Sequence, residues 1–174
     1  MRYAKYLANW LNELSSYVRI HFQMVFGNHS ELRMLGQPKG TFADDNTGII
    51  TREIISISLA NNPNFVYEQN PTGLIFDEIC GLNILGVHGE CKNMAQAIKD
   101  FSNTYKTSID ILVGGHLHHS ESENIGVNRD VIRVPSIIGI DDFSMDLNKT
   151  SNPGATLFAL ERGRGKVLEY NIKL

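Results

Sequence analysis

Short apolar runs that stop at glycine, separated by stretches of helical periodicity, constrain this chain to a layered arrangement of helices and strands. The run 20–26 stops at Gly27, and the run 109–113 stops at Gly114-Gly115. Residues 65–67 read as a short strand, and 74–79 with 83–87 as a hairpin around Cys80-Gly81. Two more strands are expected at 131–134 and 137–140, split by Pro135. A last pair, 155–160 and 167–172, flanks the basic turn 162–166, read as a solvated hairpin turn. Between these runs, Leu7, Leu11, Leu14 and Val18 recur at helical spacing. A second helix is expected from about Thr51, with Ile54, Ile55, Ile57 and Leu59, ending at Asn61-Asn62-Pro63-Asn64. A third covers 93–105, striped by Met94, Ala97, Ile98, Phe101 and Tyr105. The polar stretch 27–45 reads as a loop, and Trp10, Phe22 and Phe26 as core residues. At 174 residues the chain is read as one α/β domain over 1–174.

Charge narrows the function classes. A net charge of −3 and a pI near 6.0 exclude a strongly basic nucleic-acid coat. They leave room for a nucleic-acid enzyme, because bound cations supply the missing positive charge. Cys80 and Cys91 are too few for a disulfide framework and fit free thiols in a reducing compartment. There is no apolar stretch of membrane-spanning length and no signal-peptide pattern, so a cytoplasmic protein that binds no membrane is expected.

The chemistry lies in the histidines. Of 6, all but His21 fall in clusters directly after a strand candidate and beside glycine. The clusters are Gly27-Asn28-His29-Ser30, Gly86-Val87-His88-Gly89-Glu90 and Gly114-Gly115-His116-Leu117-His118-His119. Strand ends are rigid anchors, and the loops after them can aim imidazole and amide donors at one point. On extended backbone His116 and His118 would face opposite ways. They can serve one centre only if the chain has left the strand there, or if they address two adjacent metals. His21 is read as a structural or surface residue.

In this order, Gly-Asn-His, Gly-x-His-Gly and Gly-His-x-His resemble the second half of the calcineurin-like metallophosphoesterases. The resemblance runs from the first helix to about Phe143. The Gly-Asn-His-Ser variant, the His118-His119 doublet and the segment 139–143 are most similar to phage-type, DNA-repair-exonuclease-like members. It implies a phosphoesterase β-sandwich flanked by helices. It also implies hydrolysis of phosphodiester bonds, with DNA as a candidate substrate, by a metal-activated water. Asn28, His88 and His116 would bind the second metal and His118 the first. His29 would contact the scissile phosphate and protonate the leaving oxygen, so His29 and Asn28 are the catalytic candidates. The cofactors would be divalent ions, namely manganese, zinc, nickel or iron.

The chain departs from that pattern upstream. It contains no Asp-x-His, and no aspartate precedes Asp44, so the family's first two metal motifs are not in it. The expectation is a fold lacking its N-terminal strands, with an incomplete two-metal site. Two dications about 4 Å apart repel by roughly 16 kcal/mol at an effective dielectric of 20, and Asn28, His88, His116 and His118 are all neutral donors. At most one ion is therefore expected, of the kind that accepts nitrogen ligands. Glu90, Asp44, Asp45 and Asp141 are the acids that would substitute. Missing strands would leave an exposed sheet edge, so association with a second copy is expected. The alternative reading is a non-catalytic scaffold or interaction module that keeps the phosphoesterase fold.

Overall fold

The computed structural model describes residues 2–28, 30–32, 37–38, 46–70, 73–91, 93–140, 145 and 151–174. The chain divides into two compact units, Met1–Gly73 and Leu74–Leu174.

In the first unit, helix α1 (Arg2–Leu14) buries Ala4, Ala8 and Leu11, a spacing that puts two small residues and one large one on a single stripe. Strand β1 (Ile20–Phe22) pairs in parallel with β2 (Phe65–Tyr67), in the register Ile20↔Phe65 to Phe22↔Tyr67. Helix α2 (Thr47–Leu59) lies between them in sequence. Its N-cap is Asn46, whose side-chain oxygen accepts from the Gly48 N–H at 2.8 Å. Ala8, Leu11, Ile55, Leu59 and Phe65 form the core, joined by half-buried Leu7, Ile20, Phe22 and Tyr67.

Several sequence expectations change here. The first helix stops at Leu14, and Val18 lies beyond it and is exposed. The run 20–26 is a strand only to Phe22. The second helix begins at Thr47, ahead of Thr51, because Asn46 supplies its cap. Trp10 is 50% exposed and is no core residue, whereas Phe22 packs as expected. The first helix buries alanines on that stripe, which turns the large rings of Tyr3, Tyr6 and Trp10 outward.

The second unit is a sandwich. Strands β3 (Ile75–Ile79), β4 (Leu82–Val87), β5 (Ile111–Gly114), β6 (Glu121–Gly126) and β7 (Arg129–Arg133) form a sheet ordered β3-β4-β5-β7-β6. β4, β5 and β7 run parallel, and β3 and β6 are antiparallel outer strands. Helix α3 (Met94–Tyr105) makes the crossover from β4 to β5. Asn93 caps it, accepting from the Gln96 N–H. Side chains alternate across the sheet. Leu85, Leu112 and Val131 pack with Met94, Ala97 and Ile98 of the helix. Ile84, Ile111 and Ile132 form the opposite face, with Phe158 and Leu160 against them. Those two residues belong to β8 (Gly154–Glu161), which forms an antiparallel hairpin with β9 (Gly165–Lys173).

The expected strand at 137–140 is not formed: these residues carry no regular structure, and Ile137 and Ile138 are exposed. Instead β6 pairs with β7 through a segment, Glu121–Gly126, whose polar side chains hide it from a hydrophobicity reading. Lys166, read as part of a solvated turn, has a side chain only 14% exposed. Its ammonium is held by Asp130 at 3.2 Å and by Glu169 at 2.5 Å, which bolts the hairpin to β7.

A candidate metal centre at the ends of two parallel strands

Val87 of β4 pairs with Gly114 of β5, so these neighbouring strands leave the sheet side by side. In parallel sheets the loops after the strand ends are where ligands bind. One loop carries His88, Gly89 and Glu90, and the other Gly115 and His116. They touch backbone to backbone: the Gly115 N–H donates to the His88 carbonyl at 3.1 Å. A Cβ on Gly89 would lie 2.8 Å from the Gly115 carbonyl oxygen, and Gly89 has φ +98°. Only glycine permits both the close approach and that backbone angle.

The same closeness brings the side chains together. His88 Nε2 and His116 Nδ1 are 3.1 Å apart, with ring centroids 4.9 Å apart and planes at 71°. With metal–nitrogen bonds of about 2.1 Å, two nitrogens on one ion stand roughly 3.0 Å apart in an octahedron and roughly 3.4 Å in a tetrahedron, so the pair has the spacing of two ligands on one ion. Glu90 joins them: the ligand atoms of His88, Glu90 and His116 all lie within 4.8 Å of one another. Two imidazoles and a carboxylate suit a borderline divalent ion and leave positions for water or substrate. This donor set fits a divalent metal. Without an ion, the same two nitrogens are at hydrogen-bond distance and can share one proton.

His116 has φ +67°, and the Leu117 N–H donates to the Gly115 carbonyl at 2.8 Å, closing a three-residue turn over it. His118 has φ +61°. A left-handed non-glycine residue costs about 1–3 kcal/mol, and such strain clusters at functional sites. The chain has thus left the strand before His116, which removes the opposite-face problem. The His118 carbonyl accepts from the Ser151 hydroxyl. Its ring is not in the His88–Glu90–His116 group.

Arg133 braces the site from below. It pairs with Gly114 in the β5–β7 register, and its side chain is 4% exposed. Its Nη2 donates to the Cys91 carbonyl and its Nε to Glu121, both at 3.1 Å. Glu121 also lies 3.7 Å from His119 Nε2.

Of the residues singled out in the sequence, His88 and His116 come together. Asn28 lies in the first unit and is half-buried. His29, Asp44, Asp45 and Asp141 lie outside the described residues. His21 is exposed on β1. Among the described residues, Glu90 joins the two histidines, and its signal in the sequence is the His-Gly-Glu step after an apolar strand. Arg133 was missed, because nothing in a sequence marks a strand arginine as facing a loop carbonyl.

This fold is that of the calcineurin-like metallophosphoesterases, an α/β sandwich with flanking helices. Its likeness to a solved double mutant of Vps29 from Entamoeba histolytica has a TM-score of 0.51, at 15% identity, over 95% of this chain and 88% of that one. A single mutant of the same protein gives 0.49 at 16% identity, over 95% and 89%. An archaeal phosphodiesterase gives 0.47 at 17% identity, over 76% and 65%. In sequence, the chain is 28% identical to the SPbeta prophage-derived uncharacterized protein YonJ of Bacillus subtilis (strain 168) over 177 residues. That match takes in 98% of this chain, which spans 44% of the relative's length. No family model matches the sequence. No helix among the described residues is long and apolar enough to cross a membrane.

Proposed function

We propose that the chain is the metal-bearing part of a metal-dependent phosphoesterase that hydrolyses phosphodiester bonds of nucleic acid. The observation that carries this reading is the convergence of His88, Glu90 and His116 at the ends of two parallel strands in a metallophosphoesterase fold. A bound divalent ion supplies Lewis-acid polarisation of a phosphoryl oxygen and activation of water. The chain's part is to present His88 Nε2 and His116 Nδ1 unprotonated, with the Glu90 carboxylate offsetting cationic charge. The Gly89–Gly115 contact fixes how far apart these donors stand.

The remaining roles rest on the sequence resemblance: Asn28 and His118 as further metal donors, and His29 as the acid that protonates the leaving oxygen. An imidazole titrates near neutrality and suits that task. The phage-type, DNA-directed subtype is supported by the motif variants and by the prophage-derived relative. The test is hydrolysis of bis-p-nitrophenyl phosphate with manganese. Activity is expected, lost in His88→Ala and His116→Ala. Activity undiminished in His29→Ala would remove that residue from the mechanism.

The lack of Asp-x-His and Gly-Asp-x-x-Asp favours a second reading, a scaffold module that keeps the fold without catalysis. Metal binding with no hydrolysis of any diester, in a protein extended to the full length of its relative, would decide for it.

A further inference from the structure

A pocket of about 270 Å³ lies beside the loop that carries His116 and His118, between that loop and the open end of the β8–β9 hairpin. That is just below the roughly 300 Å³ at which pockets for drug-sized ligands start, and it suits a smaller unit. Its floor is apolar, made by Pro135, Pro153 and Ile172. Its exposed rim holds His119, Ser120, Asn152, Asn171 and Lys173, with Glu121 at 3.7 Å from the His119 ring. Among the described residues no carboxylate lines it. The Asn171 side-chain oxygen is taken by the hydroxyls of Ser120 at 2.8 Å and Thr156 at 3.1 Å, which leaves its NH₂ group to donate to a ligand. Among the described residues, no ion pair or hydrogen bond engages the Lys173 ammonium or the Asn152 amide. The pocket is tied to the metal-bearing loop: Ser120 holds Asn171, and Ser151 donates to the His118 carbonyl.

We propose that this pocket receives one sugar–phosphate unit of a single-stranded nucleic-acid chain, next to the diester that reaches the metal centre. The apolar floor takes the sugar or base face, and Lys173 with the two amides takes the phosphate. The inference rests on the phosphodiesterase reading for its biological sense, but its test does not need catalysis.

The test is fluorescence anisotropy of a labelled oligothymidylate with the full chain. The parent chain binds, and Lys173→Gln weakens binding about fivefold. That substitution also reduces the slope of log affinity against log salt by about 0.7, the value for one single-strand phosphate contact. Asn171→Asp keeps the two hydroxyl bonds but puts a negative charge on the rim, and it weakens binding at least as much. Lys99→Gln, on the outer face of α3, leaves binding unchanged. Thermal melts of each variant separate lost contacts from lost fold. No binding by the parent chain, or equal binding by all variants, overturns the proposal. Complete displacement of the oligonucleotide by millimolar inorganic phosphate overturns it in favour of a free-phosphate site. Oligonucleotide binding that depends on Lys173, in a protein that hydrolyses no diester, leaves the pocket standing and sinks the phosphodiesterase reading alone.

Discussion

The Arg133 guanidinium donates to the Cys91 carbonyl at 3.1 Å, which ties the middle of the main sheet to the loop that carries Glu90. Arg133 is also the register partner of Gly114, the last residue of β5 before the loop that carries His116. Supporting contacts of this kind are typically worth 10–100-fold in metal affinity. Arg133→Lys is expected to weaken zinc binding by about tenfold, with a shifted ligand-field spectrum in the cobalt-substituted protein. Glu121→Gln, on the exposed side of the same contact, should weaken it less. An unaltered cobalt spectrum and affinity in Arg133→Lys would reduce the arginine to a purely structural part.

Gly89→Ala tests the loop contact itself. The added methyl meets the Gly115 backbone, and φ +98° is unfavourable for any side chain. The expected result is a loss of about 2 kcal/mol or more in chemical denaturation, together with loss of metal binding. Gly81→Ala is the control: Gly81 also has positive φ, at +81°, but a Cβ there meets nothing within 4 Å. It should cost stability without touching metal affinity.

Metal stoichiometry tests the donor set. Purified, tag-free protein is expected to hold one tightly bound divalent ion per chain, released by Glu90→Gln together with His88→Ala. Two tight ions per chain would show that ligands beyond the His88–Glu90–His116 group complete a binuclear site.

The Lys166 network gives the pH dependence of stability. Burial disfavours the Lys166 charge, yet the hydrogen bonds it donates to Glu169 and Asp130 outweigh this and raise its pKa above the ordinary 10.5. Burial likewise works against the Glu169 charge, but bonds from Lys166 and Ser122 win and lower its pKa below 4.5. A lowered carboxylate contributes stability that is present above 4.5 and lost as pH falls through the folded value. A raised lysine contributes stability that is present below 10.5 and lost as pH rises through the folded value. Lys166→Met should cost about 3 kcal/mol between those limits and flatten both ends of the profile in urea denaturation.

We propose self-association through strand edges of the second unit that pair with no strand among the described residues. β6 carries Glu121 and Glu123 and is poorly suited to pairing, whereas β8 exposes the apolar stretch around Leu157. Light scattering at micromolar concentration is expected to show dimers that Leu157→Lys weakens. A clean monomer would leave the edge without a partner.

The sequence by itself determined most of the local elements and where the candidate donors lie along the chain. The apolar runs in 83–87 and 109–113, the stripe of 93–105 and the Cys80-Gly81 turn are written in residue type, because backbone angle and burial act over a few residues. The histidine clusters were equally legible, since glycine beside histidine at a strand end is a local pattern. Strand order was not. β6 reads as polar loop because an outer strand needs little apolar surface, and only its pairing with β7 makes it a strand. The place of Glu90 beside His88 and His116, and the part played by Arg133, were also decided in three dimensions. They depend on β4 and β5 being parallel neighbours in the register Val87↔Gly114, a long-range pairing that no short stretch of sequence encodes.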